Sequence, residues 1–336
     1  MKGTPSDVVQ ANIAASMGSR ARSLRQVGVE ALGIGTFYIL IILYFSLVAP
    51  HFLSTTNATN ILSNTAIIGT VAIGQTFAIV AGGFDLSVSG VIPLACVAYP
   101  ILTNAGIPYP VAMILCILLG VSIGLANGII VTRVRISPLI TTLGMASITT
   151  GLAFSICNGL PVSFDADSPS VLDNQIVQGL PIYVFVFGVV CVLAFLFLRY
   201  AVVGRMVYSV GGSREASRLA GIRVDAVTVL VYALSGAMAG LAGLMIASEL
   251  LVGSPNVGSS ASLQSIAAVI LGGASLSGGK GGIPGTIIGV FLLGTLVNGM
   301  ALMQVPSFYQ SIATGAALLF AVGFGQLRQV LGRGSI

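Results

Sequence analysis

The chain has no tryptophan, a single histidine (His51) and only 14 Lys or Arg and 9 Asp or Glu among 336 residues. Charged residues make up 7% of the sequence, against about 25% in an ordinary soluble domain. So few charges cannot cover a water-facing surface, and with 56% hydrophobic residues most of the chain must face lipid. No paired carboxylates, zinc spacing or Ser–His–Asp set appears, and His51 is the only histidine, so an enzyme reading has nothing to stand on. The four cysteines, Cys96, Cys116, Cys157 and Cys191, lie within or beside apolar runs without ligand spacing and read as buried thiols. The net charge of +5 comes from a few basic residues at the ends of apolar runs; these read as orientation signals and imply no nucleic acid partner.

What is abundant is apolar sequence. Runs fall at 31–49, 61–81, 86–103, 109–131, 137–157, 181–198, 225–247, 263–274, 284–303 and 309–327. A bilayer crossing needs about 20 apolar residues, fewer where a helix is broken inside protein, so about ten segments are expected, the eighth a broken or re-entrant piece. Counting alternate sides puts Arg20, Arg22 and Arg25, then Arg133 and Arg135, then Arg199 to Arg223, Lys280, and Arg328 and Arg333 on one side. Asp165, Asp167, Asp173 and Glu249 fall on the other. The positive-inside bias makes the basic side cytoplasmic, with both termini inside. Residues 1–30 then form a cytoplasmic leader, 31–327 the membrane domain with a cytoplasmic loop at about 199–224, and 328–336 a cytoplasmic tail. Glycines four apart at Gly120, Gly124 and Gly128, at Gly236 and Gly240, and at Gly285 and Gly289 predict close helix crossings.

Between Glu30 and Arg133 the only Asp, Glu, Lys or Arg is Asp85, in AIVAGGFDLSVSG. A carboxylate at bilayer depth is expensive and marks function by default. It can equally cap a helix start by accepting hydrogen bonds from free N–H groups. Both readings stand at this point. Asn64, Gln75, Asn127, Gln264, Asn298 and Gln310 are uncharged polar residues inside apolar runs; they either bond across helices or line a wet pathway, one suited to a neutral, hydroxyl-rich solute. Two weak internal matches exist, GGFDLS at Gly82 with GGASLS at Gly272 and LANG at Leu125 with LVNG at Leu296, and glycine-rich sequence produces such matches by chance.

The loop GRMVYSVGGSREASRLAGIRVD predicts one short helix. Ser213 caps it, Glu215 suits its first turn, and Gly221 ends it. Ala216, Leu219 and Ala220 share a side while Arg214 and Arg218 face elsewhere. Alone in water so short a helix is unstable, so it either docks on a cytoplasmic partner or is an ordinary basic connector. GGASLSGGKGG is no phosphate-binding loop, because Gly279 and Gly281 flank Lys280 where that motif needs a glycine, then Lys, then Ser or Thr. LSGGK, although like a signature of transporter ATPases, stands without a phosphate loop or soluble domain.

Five stretches, in order, resemble the permease subunits of ribose-type (monosaccharide) ATP-binding-cassette importers: GGFDLSVSG, ISPLITTLGM (Ile136 to Met145), VGGSREASRLAGI, SIAAVILGGASLSGGKGG and LVNGMALM. The resemblance runs from about Phe52 to the last span. It implies an all-α polytopic permease bundle of the type II-importer kind in a bacterial inner membrane. It also implies a second permease subunit, a cytoplasmic ATPase that binds ATP and Mg, and a periplasmic solute-binding protein, with no cofactor in this chain. Arg214, Glu215, Ala216, Arg218, Leu219 and Gly221 would form the ATPase-coupling helix, Glu215, Ala216 and Gly221 being the positions that match the family's Glu-Ala-Ala-x-x-x-Gly. Asp85, Ser87, Asn64, Asn127, Gln264 and Asn298 are the expected pathway or gating residues. Where many relatives read Glu-Leu-Asp, this chain has Ser262-Leu263-Gln264, which leaves the solute open among pentoses, hexoses, polyols and furanones. The competing reading is a secondary transporter coupled through Asp85; a third is a non-transporting scaffold, for which the polar residues and glycine breaks have no use.

Overall fold

A computed structural model describes residues 35–165, 172, 175–177 and 179–333. The leader at 1–30, with Arg20, Arg22 and Arg25, and the acids Asp167 and Asp173 lie outside the described residues, as do the side chains of Arg328 and Arg333. The described chain is almost entirely helical. The helices are α1 (Gly35–Val48), α2 (Thr55–Val80), α3 (Val88–Asn104), α4 (Tyr109–Ile129), α5 (Pro138–Ile156), α6 (Ile182–Tyr200), α7 (Val202–Gly212), α8 (Arg214–Leu219), α9 (Val224–Leu250), α10 (Ala261–Leu271), α11 (Ile283–Leu302) and α12 (Ser307–Arg333). A wider π-type turn, Ile130–Val134, prolongs α4. Every apolar run of the sequence falls on one helix. Six are long and apolar enough to cross a membrane (α2, α4 with its turn, α5, α6, α9 and α11), while α1, α3 and α10 are shorter apolar helices. The expected short eighth segment is α10, only 11 residues long.

Burial sorts the helices into centre and rim. In their most apolar stretches α2 is 83% and α9 72% buried, whereas α5 and α6 are 22% buried and present Ile140, Ile148, Val189 and Leu193 outward. In water such a surface would be untenable; in hydrocarbon it needs no cover. The centre is held by backbone approach. A methyl on Gly120 would strike the carbonyl of Gly236, one on Gly124 that of Tyr232, and one on Gly240 would lie 2.8 Å from the carbonyl of Cys116, so α4 and α9 cross on two glycine rows. Gly285 and Gly289 seat α11 on α10 in the same way, against Gly272 and Ala268. Close crossing maximises dispersion contact where no hydrophobic effect drives association. All four cysteines are buried and free.

The two ends of the bundle differ in charge. At one end Gly279 N–H donates to the Val80 carbonyl (2.9 Å), and Gly279 lies against Gly212, so the α2–α3 turn, the α10–α11 loop carrying Lys280 and the end of α7 meet. Arg133 and Asp225 border one surface hollow, placing the α4–α5 turn at that end too. At the opposite end two short strands, β1 (Val162–Ser163) and β2 (Val252–Gly253), pair antiparallel. Asn104 clamps β1 there, donating from Nδ2 to the Ser163 carbonyl (2.8 Å) and accepting from Asp165 N–H (3.0 Å). Asp165 and Glu249 therefore sit at the end away from the basic loops.

Candidate functional site

Three features could serve passage of a solute. The first is the break between α2 and α3. Gly82 ends α2 with φ +80°, a left-handed conformation that glycine adopts freely, and Gly82 and Gly83 return their N–H groups to Ile79 and Ala78. Asp85 follows, fully buried. Its Oδ1 accepts from Ser87 N–H (3.0 Å) and from Ser87 Oγ (2.5 Å), and Ser87 Oγ accepts from Asn127 Nδ2 (2.8 Å) on α4. Asp85, Ser87 and Asn127 thus form one chain of bonds joining the break to α4. Ser235 of α9 stands near the same carboxyl group without a well-aligned hydrogen bond. Tyr232, one turn before Ser235, donates to the Phe84 carbonyl (3.1 Å). Asn127 lies six residues before Arg133, about 9 Å further into the bundle at 1.5 Å per helical residue.

The second feature is a glycine junction on the basic side. α10 ends as α2 does: Gly273 has φ +88°, and Gly273 and Ala274 return their N–H groups to Ile270 and Val269. Ser275 Oγ then accepts from Ser277 N–H (3.3 Å), echoing the turn at Asp85. The two turns meet each other and α7. A methyl on Gly278 would lie 2.8 Å from Gly82 Cα, and one on Gly211 would strike the Val80 carbonyl. Tyr208 of α7 donates to the Gly281 carbonyl (2.9 Å), and burial raises its phenol above the ordinary tyrosine range. The second internal match is different: Asn127 is on α4 and Asn298 on α11, at unrelated places after their turns, so it marks no repeat.

The third feature is α8, joined directly to this junction. Ser213 Oγ accepts from Ala216 N–H (3.2 Å), Glu215 occupies the first turn, and Gly221 with φ +80° closes the end. The helix has six residues, the short helix expected from the sequence. The expected apolar side is not packed: Ala216, Leu219 and Ala220 are exposed, Leu219 to 83%, and Ser217 is the buried member. Arg218 reaches Asp225 at the start of α9 (3.8 Å), an exposed pair of little stabilising value.

The remaining expected residues lie elsewhere. Asn64 on α2 is exposed, while Gln264 on α10 and Asn298 on α11 are half-buried. All three belong to the halves of their helices nearer the acidic end, and those helices pack on one another, but no bond joins them to the Asp85 chain.

Comparison with known proteins decides the family. Residues 57–322 match the family described as branched-chain amino acid transport system / permease component. The ribose import permease protein RbsC of Haemophilus influenzae is 34% identical over 288 residues, covering 84% of this chain and 89% of its own. The L-arabinose ABC transporter permease protein AraH of Azospirillum brasilense is 36% identical over 299 residues, 88% of each chain. The D-allose transport system permease protein AlsC of Escherichia coli is 33% identical over 299 residues, 87% of this chain and 91% of its own. The chain belongs to the ribose-type ABC permeases. No solved structure gives a significant match.

In this permease the matched segment holds all three features. Two elements escape a reading of the sequence alone. One is α7, whose glycines Gly204, Gly211 and Gly212 argue against a helix although two of them are close-packing positions. The other is Gln75 on α2, indistinguishable by type from the other in-span amides. Both its side-chain polar atoms are buried without a hydrogen-bond partner, a burden of about 1–3 kcal/mol for each such atom.

Proposed function

We propose that this permease forms the membrane pathway of an ATP-binding-cassette importer for a monosaccharide or a related neutral polyhydroxy solute. In this reading it pairs with a second permease subunit in the bacterial inner membrane, with both termini cytoplasmic. A periplasmic binding protein delivers the solute, and a separate cytoplasmic ATPase, which binds ATP and Mg, drives the cycle. The chain itself catalyses no reaction.

The observation that carries the reading is α8: a capped helix at the basic end whose apolar residues Ala216 and Leu219 stay exposed among the described residues. Six residues cannot hold a helix through propensity alone, so a partner surface is the natural complement. Its position gives the mechanism. A push on α8 passes to α7 and then, through backbone contact at Gly211 and Gly212, to the turns that end α2 and α10. Contacts without flexible side chains transmit small displacements with little loss. The Asp85–Ser87–Asn127 chain ties the first turn to α4, so displacement of the turn is shared with the α4–α9 pair. Asp85 acts here as a gating strut. The pathway itself needs neutral donors and acceptors, which Asn64, Gln264 and Asn298 offer on the outer halves of three packed helices.

The test is the Glu215→Lys exchange in the assembled importer. It places a cation where the helix N-terminus favours an anion. Uptake should fall about tenfold, equivalent to about 1.4 kcal/mol of lost coupling, with membrane insertion intact. Unchanged uptake with the ATPase still bound removes α8 from the coupling role.

A further inference from the structure

Gln75 is the one described residue whose side-chain amide keeps both polar atoms buried and unpartnered. Its neighbours on α2 are all engaged. Gly74 abuts Ser235 and Met238 of α9, Thr76 Oγ1 bonds Thr286 Oγ1 of α11 (2.7 Å), and Phe77 stacks edge-on with Phe197 of α6. Gln75 therefore points to the remaining side of the helix. Eleven residues make three turns within about 20°, so Asn64 lies on that same side about 16 Å toward the acidic end, and Asn60 lies one turn beyond Asn64. Asn60 and Asn64 are both exposed. Lipid does not accept bare amides, so that end of the face is served by something polar. Ile68 and Ala72 separate Asn64 from Gln75, which stands closed over about three turns further in.

From this juxtaposition we infer that Gln75 is a solute-binding residue of the pathway, occluded in the conformation described here and uncovered when the bundle opens. Its ligand class follows from the amide. It carries two donors and one carbonyl acceptor with no charge, which matches adjacent hydroxyl groups of a neutral polyol and neither an anion nor a cation. A residue kept only for packing would be leucine or methionine, which fill the same volume without unpaired atoms. The inference rests on the importer reading above, and it adds a specific contact deep in the bundle.

The experiment uses the permease reconstituted in proteoliposomes with its ATPase and binding protein, and radiolabelled D-ribose, L-arabinose and D-allose as probes. Gln75→Leu should leave the thermal midpoint of the permease unchanged or raised, yet lower uptake about tenfold or more, because a site made to bond hydroxyls loses its partner. Equal midpoint and wild-type uptake overturn the inference. Where Gln75→Leu lowers the midpoint, Gln75→Cys decides, in a permease whose four native cysteines are replaced by alanine. A small membrane-permeant thiol reagent should label it slowly at rest and about tenfold faster during ATP turnover, with the transported sugar slowing the reaction. A thiol equally unreactive in both conditions overturns the inference. If the wild-type assembly imports none of the three sugars with ATP, the importer reading fails for that solute class before Gln75 is at issue.

Discussion

At the scale of single residues, Asp85 shows how a membrane protein keeps an isolated carboxyl group. It does so by giving that group local work: Oδ1 gathers two bonds from Ser87, and Ser87 is itself held by Asn127. Asp85→Ala should lower apparent stability by about 1–3 kcal/mol, read as a fall in thermal midpoint in detergent, because Ser87 N–H and the Ser87 hydroxyl lose their shared acceptor. Asp85→Asn keeps an acceptor oxygen and should retain most of that stability and most of the ATP-driven uptake. Proton-driven uptake that disappears in Asp85→Asn and ignores ATP would favour the secondary-transporter reading. The contrast with Gln75 is instructive. Both are buried polar residues near the inner turns, but Asp85 is engaged through one oxygen and Gln75 through none.

At the scale of elements, glycine spacing sets the helix crossings. Gly124 faces the Tyr232 carbonyl, whereas Gly188 on α6 has open space beside it. Gly124→Leu should separate α4 from α9 and cost about 2–4 kcal/mol or abolish the folded fraction, while Gly188→Leu should change the midpoint by less than about 1 kcal/mol. Size-exclusion profiles and thermal scans of the two variants check this; equal behaviour would remove close crossing as the organising feature. The same elements show what the sequence makes legible. Long apolar runs announce helices because a bilayer permits little else, and Ser213, Glu215 and Gly221 announce α8 through capping chemistry. The extra helix α7 is hidden because its glycines oppose helix formation locally, and Gly211 is favoured by contacts with Val80 and Gly279, distant in sequence. The packing of α8 was hidden for a related reason. An apolar pattern tells which side seeks cover, and Leu219 finds none among the described residues. Of the site, Asp85, Ser87 and Asn127 stand together, but only three-dimensional placement separates them from Asn64, Gln264 and Asn298.

At the scale of the whole molecule, the permease is a lipid-facing rim of α5 and α6 around a tightly crossed centre, with basic loops gathered at one end and Asp165 and Glu249 at the other. Under the proposed importer reading, the positive-inside bias puts the basic end in the cytoplasm, where α8 would meet the ATPase. The architecture has long helices and broken ends, and in the proposed reading a separate ATPase supplies the energy for accumulation. The most direct measurement is uptake of labelled monosaccharide by proteoliposomes holding this permease alone, and then together with its ATPase, binding protein, ATP and Mg. Accumulation against a gradient only in the complete, ATP-hydrolysing assembly is the predicted result. Accumulation by the permease alone, powered by an ion gradient, would contradict the account.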